Sequence, residues 1–229
     1  MGGLTRRGFH LGLGAAFASG PAFAAADAGL ARHPFLLSGE WDHRRDAQTL
    51  YLVRHGRLVW SYAIPNQDAS GQGVELGDAT ILPNRHVLFA HKTGASEVTP
   101  DKRIVWTIAA APGAEIHTLQ PLPNGRVMVV ENGNPARLVV IDRKTSTIEH
   151  QLILPVPHPD KPHIQFRRVR RTPSGTWLAG HLDDHKVVEY DDAGKAIWTY
   201  AVDRPWGIDR LKNGNTLISC YEGKATQVI

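Results

Sequence analysis

Short apolar runs that alternate with turn residues make up most of this chain. Residues 122–142, LPNGRVMVVENGNPARLVVID, show the pattern most clearly, because two runs at 126–130 and 137–141 flank the turn cluster at 132–135. Each run is too short for a helix and is rich in β-branched residues, which pack well in a pleated sheet. The segment therefore predicts two antiparallel strands joined by a hairpin.

This unit recurs along the sequence. The turn clusters LPNR, LPNG, TPSG and LKNG begin at residues 82, 122, 172 and 211, and an apolar phrase follows each of them. A second phrase closes each unit, and in it one large ring holds the same place at separations of 46, 44 and 48 residues: Trp60, Trp106, His150 and Trp198. A period of about 40 to 50 residues with about four short strands is typical of β-propeller blades, where such rings pack one blade against the next.

We therefore predict an all-β fold, a β-propeller of four-stranded antiparallel blades. Residues 34–64 are interpreted as a partial blade without an innermost strand, 74–111, 115–155 and 163–202 as fuller blades, and 206–229 as a truncated blade. About 205 residues at about 46 per blade give about 4.5 blades, whereas propellers typically close with four to eight whole blades. The sequence thus predicts an incomplete propeller, with about four to five blades present of a larger one.

The first residues, 1–24, resemble a twin-arginine export signal. Arg6 and Arg7 precede a Gly- and Ala-rich apolar run at 11–23, and small residues suited to cleavage follow at 22–26. The alternatives are an ordinary amphipathic N-terminus or a general secretory signal with a chance arginine pair. The run is too short to span a bilayer, so we expect a periplasmic or secreted protein without stable membrane insertion after cleavage.

Charge and cysteine content narrow the function classes. The formal net charge of +4 falls to +2 without the leader, and such a small excess does not suggest a nucleic-acid partner. Cys220 is the single cysteine, so no internal disulfide can form, and we interpret it as a small apolar strand residue.

The blade phrase itself resembles a known family. The pattern G-(K/R)-aliphatic-aliphatic-W-x-(Y/I), followed by a turn and L-P-N-G-(N/R), is similar to the repeats of PQQ-like and arylsulfotransferase-like bacterial β-propellers and covers residues 34–229. The resemblance implies the fold more strongly than any activity. Quinoprotein dehydrogenases of this kind bring a vicinal disulfide over the cofactor, which one cysteine cannot form, so we predict no cofactor.

Inner strands of a propeller face the central axis, where propellers bind ligands. Five or six positions before each turn proline or its equivalent, this chain carries polar or aromatic residues where apolar ones would serve the strand. With the adjacent His163, the candidate ligand-binding residues are Asp78, Glu115, His117, His163, Gln165, Arg167 and Trp206.

The segment HIQFRRVRR at 163–171 adds positive charge to this set. Strand alternation predicts one face with Gln165, Arg167, Val169 and Arg171, and an opposite face with Phe166, Arg168 and Arg170. The crowded guanidinium groups favour a funnel that accepts a sulfate, phosphate or carboxylate group. Alternatively, the arginines pair with acids such as Glu189 or Asp191, or are solvated.

Two functions follow as hypotheses, and the sequence does not decide whether the protein is an enzyme. The leading one is a ligand-binding or scaffold module with a polar, anion-tolerant funnel for a small anionic or aromatic ligand. The alternative is implied by the arylsulfotransferase resemblance: His117 as a catalytic nucleophile, with His163 and Arg167 stabilising the charge. No metal site is predicted, because the histidine pair His181 and His185 flanks an Asp-Asp turn.

Overall fold

The computed structural model describes residues 33–39, 46–221 and 226–229, and the predicted export signal lies outside them. The described residues contain two short 3₁₀ turns, Pro123–Gly125 and Pro162–Ile164, and no helix among them is long and apolar enough to cross a membrane. Their strands are β1 (Phe35–Gly39), β2 (Ala47–Arg54), β3 (Arg57–Pro65), β4 (Leu76–Ile81), β5 (Val87–His91), β6 (Gly94–Val98), β7 (Ile104–Ala109), β8 (Glu115–Pro121), β9 (Arg126–Asn132), β10 (Arg137–Asp142), β11 (Thr147–Ile153), β12 (Phe166–Arg171), β13 (Trp177–His181), β14 (Lys186–Tyr190), β15 (Ala196–Ala201), β16 (Pro205–Arg210), β17 (Thr216–Cys220) and β18 (Thr226–Val228).

These strands form five antiparallel sheets that follow one another along the chain. Sheets β4–β7, β8–β11 and β12–β15 have four strands, and β1–β3 and β16–β18 have three described strands each. The innermost strands β4, β8, β12 and β16 contact one another in succession. Strand β5, the second strand of its blade, contacts the innermost strand β8 of the next blade. Strand β1 contacts β4 in the same way, so β1 corresponds to the second strand of a complete blade. The predicted all-β propeller of four-stranded blades is confirmed.

The hairpin predicted at residues 122–142 is present. Strands β9 and β10 pair in register from Arg126 with Asp142 to Glu131 with Arg137. All side chains of β9 from Val127 to Val130 are buried, although adjacent residues point to opposite faces. Both faces of the strand are therefore covered, which explains why the sequence runs apolar here without alternating.

The apolar core lies between the blades. Each of its four clusters of buried residues joins two consecutive sheets. Strand β5 shows how: Val87 and Phe89 belong to the cluster shared with the first sheet, whereas Leu88 and Ala90 belong to the cluster shared with the third. Burial of both faces of the middle strands stacks the sheets around one axis.

The repeated large ring closes each blade against the next. Trp60, Trp106, His150 and Trp198 all lie on the outermost strand of their sheet and pair with the residue before a register shift in the neighbouring strand. The indole N–H of Trp60 donates to the carbonyl oxygen of Pro100 in the following sheet at 2.9 Å. His150 stacks on Trp177 of its following sheet, with ring centroids 6.4 Å apart. This contact confirms that His150 holds the tryptophan place of its blade.

Candidate functional site

A β-bulge interrupts each of the four described inner strands near its start. Pairing shifts between Leu76 and Ala79 in β4, and at the equivalent places in β8, β12 and β16. A bulge inserts an extra residue and re-aims the neighbouring side chains. The residues at these shifts are Gly77 and Asp78 in β4, His117 in β8, Arg167 and Arg168 in β12, and Trp206 in β16. Four of the candidate residues therefore lie at bulges.

The bulge in β12 makes the alternation predicted for residues 163–171 wrong. Phe166 and Val169, expected on opposite faces, both lie in the apolar cluster between the third and fourth sheets. Gln165 ends a 3₁₀ turn before the strand begins. An inserted residue reverses the facing of every position that follows it, and periodicity alone does not reveal the insertion.

All four arginines in this segment lie within 4 Å of a carboxylate, and that of Arg167 is Glu75. Arg170 Nη1 lies 2.6 Å from Asp78 Oδ2, and Arg168 Nε lies 3.6 Å from Asp78 Oδ1. Arg171 pairs with Asp192 and stacks over Trp177, with its Cζ 4.2 Å from the ring centroid. Asp78 thus joins the inner strands of two blades, and the partners are not the predicted Glu189 and Asp191.

Gln165 connects two blades through backbone contacts. Its Oε1 accepts from Gly133 N–H at 2.7 Å, and its Nε2 donates to the carbonyl oxygens of Gly133 and His158 at 3.1 Å each. Neither Gln165 nor Asp78 is among the residues that line the axial cavity described below. The structure therefore places these two candidates in interblade packing.

Glu115 and two candidate histidines do come together. Oε2 of Glu115 lies 2.9 Å from Nε2 of His117 and 2.9 Å from Nδ1 of His163. Its other oxygen lies 3.2 Å from Nζ of Lys92. His117 is only 1% exposed, whereas the side chain of His163 is 48% exposed. Of the two rings, His163 is the one that faces solvent.

Glu75, which sequence analysis missed, lies on the other side of the two imidazoles. Its carboxylate oxygens lie 3.7 Å from His117 Nδ1, 3.8 Å from His163 Nε2 and 3.5 Å from Arg167 Nη1. Glu75 precedes β4 between two buried apolar residues, Val74 and Leu76. The sequence did carry a signal for Glu75, because an acidic residue between two apolar residues is unusual and points to a specific role.

These contacts determine the charge state of the buried pair. Burial acts to raise the pKa of Glu115, but hydrogen bonds from His117 and His163 and the charge of Lys92 outweigh it and hold that pKa well below its usual range. Burial lowers the pKa of His117, and the opposing effects of Glu115 and Glu75 do not cancel it. A carboxylate therefore faces a neutral imidazole, whose Nε2 carries the proton because Glu115 accepts from it.

Aromatic rings and guanidinium groups form a second layer of the site. Arg167 Cζ lies 4.8 Å from the centroid of the Trp206 ring, and Trp206 stacks on Tyr221 with centroids 5.0 Å apart. Arg204 Cζ lies 5.2 Å from the centroid of Tyr221. The four side chains stack in the order cation, ring, ring, cation, and cation–π attraction stabilises the two outer contacts.

Both layers border one cavity of about 910 Å³ on the propeller axis. Its charged and aromatic lining comes from blades two, four and five, and the residues are Glu75, Lys92, His163, Arg167, Asp183, His185, Arg204, Trp206 and Tyr221. Of the candidates, His163, Arg167 and Trp206 reach the wall, and Glu115 and His117 lie beneath it. Lys92, Arg204 and Tyr221 were missed, because they lie just outside strands and carry no repeat signal.

Comparison with solved structures shows similarity in fold. A Bacteroides caccae protein of unknown function matches with a TM-score of 0.68 and 22% identity, over 85% of this chain and 71% of the other. The WD40 propeller domain of Doa1 matches with a TM-score of 0.60 and 14% identity, over 78% of this chain and 59% of the other. Virginiamycin B lyase from Staphylococcus aureus, solved with quinupristin, matches with a TM-score of 0.57 and 13% identity, over 86% of this chain and 70% of the other.

No protein-family model matches the chain, and neither does any curated protein sequence. At these identities the structural likenesses establish the fold alone, and the resemblance to PQQ-like and arylsulfotransferase-like repeats stays a prediction. Five consecutive sheets around one axis, with propellers as structural neighbours, lead to one conclusion: the chain is a β-propeller protein.

Proposed function

We propose that this chain is an exported, periplasmic or secreted β-propeller that binds a small organic anion with an aromatic part in its axial cavity. The observation that carries the proposal is the convergence of Arg167, Arg204, Trp206 and Tyr221 on a single cavity. The volume of about 910 Å³ lies within the range of small-molecule sites.

The geometry of the guanidinium groups supports an oxyanion on the ligand. Arg167 and Arg204 stack on aromatic rings through their faces, and their edges lie near His163 and Glu75 for Arg167 and near Asp203 for Arg204. A carboxylate or sulfate group would bind at these edges, in exchange for the present neighbours. Stacking also restricts both side chains before a ligand arrives, which lowers the entropy cost of binding. Trp206 and Tyr221 supply apolar surface beside the charge.

Group transfer through His117 is the less well supported alternative. A nucleophile must reach its substrate, and His117 lies beneath the cavity wall with 1% of its surface exposed. Its Nε2 is engaged by Glu115, and its Nδ1 faces Glu75. His163 is better exposed, but its Nε2 lies 2.9 Å from Nη2 of Arg167.

One probe pair tests both functions. The chain is titrated calorimetrically with 4-nitrophenyl sulfate and with the neutral 4-nitroanisole. In parallel, transfer of the sulfuryl group from 4-nitrophenyl sulfate to a phenol acceptor is followed by the absorbance of the 4-nitrophenol that is released. We expect binding of the sulfate, without turnover, and binding at least tenfold weaker in Arg204→Gln, because a charge-assisted hydrogen bond is worth about 1.5 to 3 kcal/mol. Arg103→Gln, an exposed arginine paired with Asp101, is the matched control.

The possible results distinguish anion binding from group transfer. Equal affinity for the sulfate and the neutral ether, or an Arg204→Gln variant that binds as the wild type does, contradicts an anion site in this cavity. Turnover that disappears in His117→Gln replaces the binding proposal with the transferase. A panel of aromatic carboxylates, run in the same way, then identifies the preferred acid group.

A further inference from the structure

We propose that Glu75, His117 and His163 form a binding site for a divalent transition-metal ion, such as Zn²⁺, in the floor of the axial cavity. The site goes beyond the proposed binding of an organic anion and does not depend on it. One carboxylate oxygen of Glu75 and one ring nitrogen from each histidine lie within 4.8 Å of one another. The three residues come from different blades or from the turn between blades, so no sequence motif reveals the set.

The hydrogen bonds to Glu115 fix which nitrogen atoms face Glu75. Because Glu115 accepts from Nε2 of His117 and from Nδ1 of His163, the ring nitrogens left to coordinate an ion are His117 Nδ1 and His163 Nε2. These are the two atoms that face the carboxylate of Glu75. A carboxylate behind a ligating histidine is the usual second shell of a metal site, and here one carboxylate serves both rings.

The distances suit a metal ion after a small contraction. With metal–ligand bonds of about 2.1 Å and tetrahedral geometry, neighbouring ligand atoms lie roughly 3.4 Å apart. The observed separations are 3.7 Å from Glu75 Oε1 to His117 Nδ1 and 3.8 Å from Glu75 Oε2 to His163 Nε2. A bound ion would draw the three ligand atoms, which lie within 4.8 Å of one another, closer together.

An independent observation points to a missing partner. His117 is 1% exposed, and its Nδ1 forms no hydrogen bond with any of the described residues. An oxygen of Glu75, which is also an acceptor, lies 3.7 Å from this nitrogen. A buried ring nitrogen without a hydrogen bond is unfavourable, and a metal ion held between it and Glu75 would give it a partner.

Arg167 competes for the same atoms. Its Nη2 lies 2.9 Å from Nε2 of His163, and its Nη1 lies 3.5 Å from Glu75 Oε1. A metal ion must displace this guanidinium, which can withdraw along the face of Trp206 toward the cavity. Arg167 thus compensates the charge of Glu75 when no ion is bound, and its removal is expected to strengthen metal binding.

The donor set selects the ion. Two imidazole nitrogens and one carboxylate favour Zn²⁺ and its transition-metal neighbours over Mg²⁺ and Ca²⁺, which prefer oxygen ligands. Three protein ligands leave a position open toward the cavity, as in catalytic zinc sites. An acidic group of a ligand or a water molecule would complete the coordination there.

The test measures metal affinity directly. The full chain is stripped with EDTA, and Zn²⁺, Mn²⁺ and Mg²⁺ are titrated in competition with a chromophoric chelator. We expect one equivalent of Zn²⁺ to bind, with Mg²⁺ far weaker, and binding to be lost in Glu75→Gln and His163→Gln. Glu115→Gln should weaken binding roughly ten- to hundredfold, the usual effect of a second-shell change.

Two further variants keep the test decisive. His185→Gln alters an exposed histidine on the same cavity wall that lies outside the proposed set, and it should bind as the wild type does. Arg167→Met should bind at least tenfold more tightly, because it removes the competing cation. Circular dichroism and thermal melting establish that each variant is folded.

The following results would contradict the proposed metal site. If the wild type binds no Zn²⁺, or if folded His163→Gln binds it unchanged, the site does not exist. If Arg167→Met does not bind more tightly, Arg167 is the permanent cation of a structural ion-pair network and the proposal fails.

Discussion

A Cβ atom added to Gly77 would lie 2.4 Å from the carbonyl oxygen of His117. The inner strands β4 and β8 therefore approach so closely at their bulges that only glycine fits in β4. The close contact sets the separation between the segment that carries Glu75 and the strand that carries His117. Because Gly77 has no side chain, the two strands can lie at the distance that brings Glu75 and His117 together.

We expect Gly77→Ala to destabilise the protein by about 2 kcal/mol or more, because the methyl group meets backbone that cannot turn aside. Urea unfolding followed by tryptophan fluorescence measures this. Gly73→Ala is the control, since nothing lies within 4 Å of its Cβ position, and its stability should be unchanged or slightly raised. Equal stability of the two variants would show that β4 and β8 are not in close contact.

Asp78→Ala should cost stability without affecting the cavity. Asp78 is 7% exposed and pairs with Arg168 and Arg170, so its removal leaves two partly buried guanidinium groups without a carboxylate. We expect a loss of about 2 to 4 kcal/mol. Asp101→Ala, which breaks an exposed pair with Arg103, should have a much smaller effect. Affinity of the folded Asp78→Ala protein for 4-nitrophenyl sulfate should match the wild type, and a large loss would place Asp78 in the binding site after all.

His181 should make stability depend on pH. Burial lowers the pKa of His181 from 6.5 to about 4, with Lys186 adding to this shift and Asp184 opposing it. Its Nε2 lies 2.8 Å from the hydroxyl oxygen of Tyr190, within hydrogen-bond distance. The unfolded chain therefore binds more protons between pH 4 and 6.5, and stability falls as the pH is lowered through this window.

The expected contribution of His181 across that window is of order 3 kcal/mol. Urea unfolding at a series of pH values should show a flatter profile for His181→Gln than for the wild type, although the variant is less stable at pH 7. His185→Gln, which changes an exposed ring, should keep the wild-type slope. A variant profile as steep as that of the wild type would assign the pH dependence to other groups.

Export remains a prediction from the sequence, and it can be tested without the propeller. A fusion of residues 1–30 to a reporter that is active only outside the cytoplasm should be exported in a bacterium with a twin-arginine system. Replacement of Arg6 and Arg7 by lysine should abolish export, because this pathway reads the arginine pair specifically. Continued export of the double variant would favour the general secretory route.

The fold was predictable because its signals repeat. The apolar runs of β5 and β9, the turn clusters and the rings from Trp60 to Trp198 all recur with one period, and each recurrence strengthens the same interpretation. Even His150, which departs from the tryptophan pattern, was placed correctly by its spacing. Repetition averages out the errors that make a single short strand ambiguous.

The site was less predictable because it depends on departures from the repeat. Bulges moved Asp78 into interblade pairing and reversed the facing of the residues after Phe166. Glu75 and Tyr221 lie just outside regular strands, where period-two reasoning does not apply. His117, His163, Arg167 and Trp206 were found because polar or aromatic residues at inner-strand starts have few structural reasons to be there.

The bulge near the start of each of the four described inner strands also has a consequence for how such a protein can diversify. Because the extra residue sits outside the regular pairing, glycine, histidine, arginine and tryptophan all occupy this place in one molecule without changing the sheet on either side. Each described inner strand therefore has a position near its start that accepts different residue types. Functional residues can be substituted at these positions one blade at a time, while the pairing of the strands in each sheet stays the same.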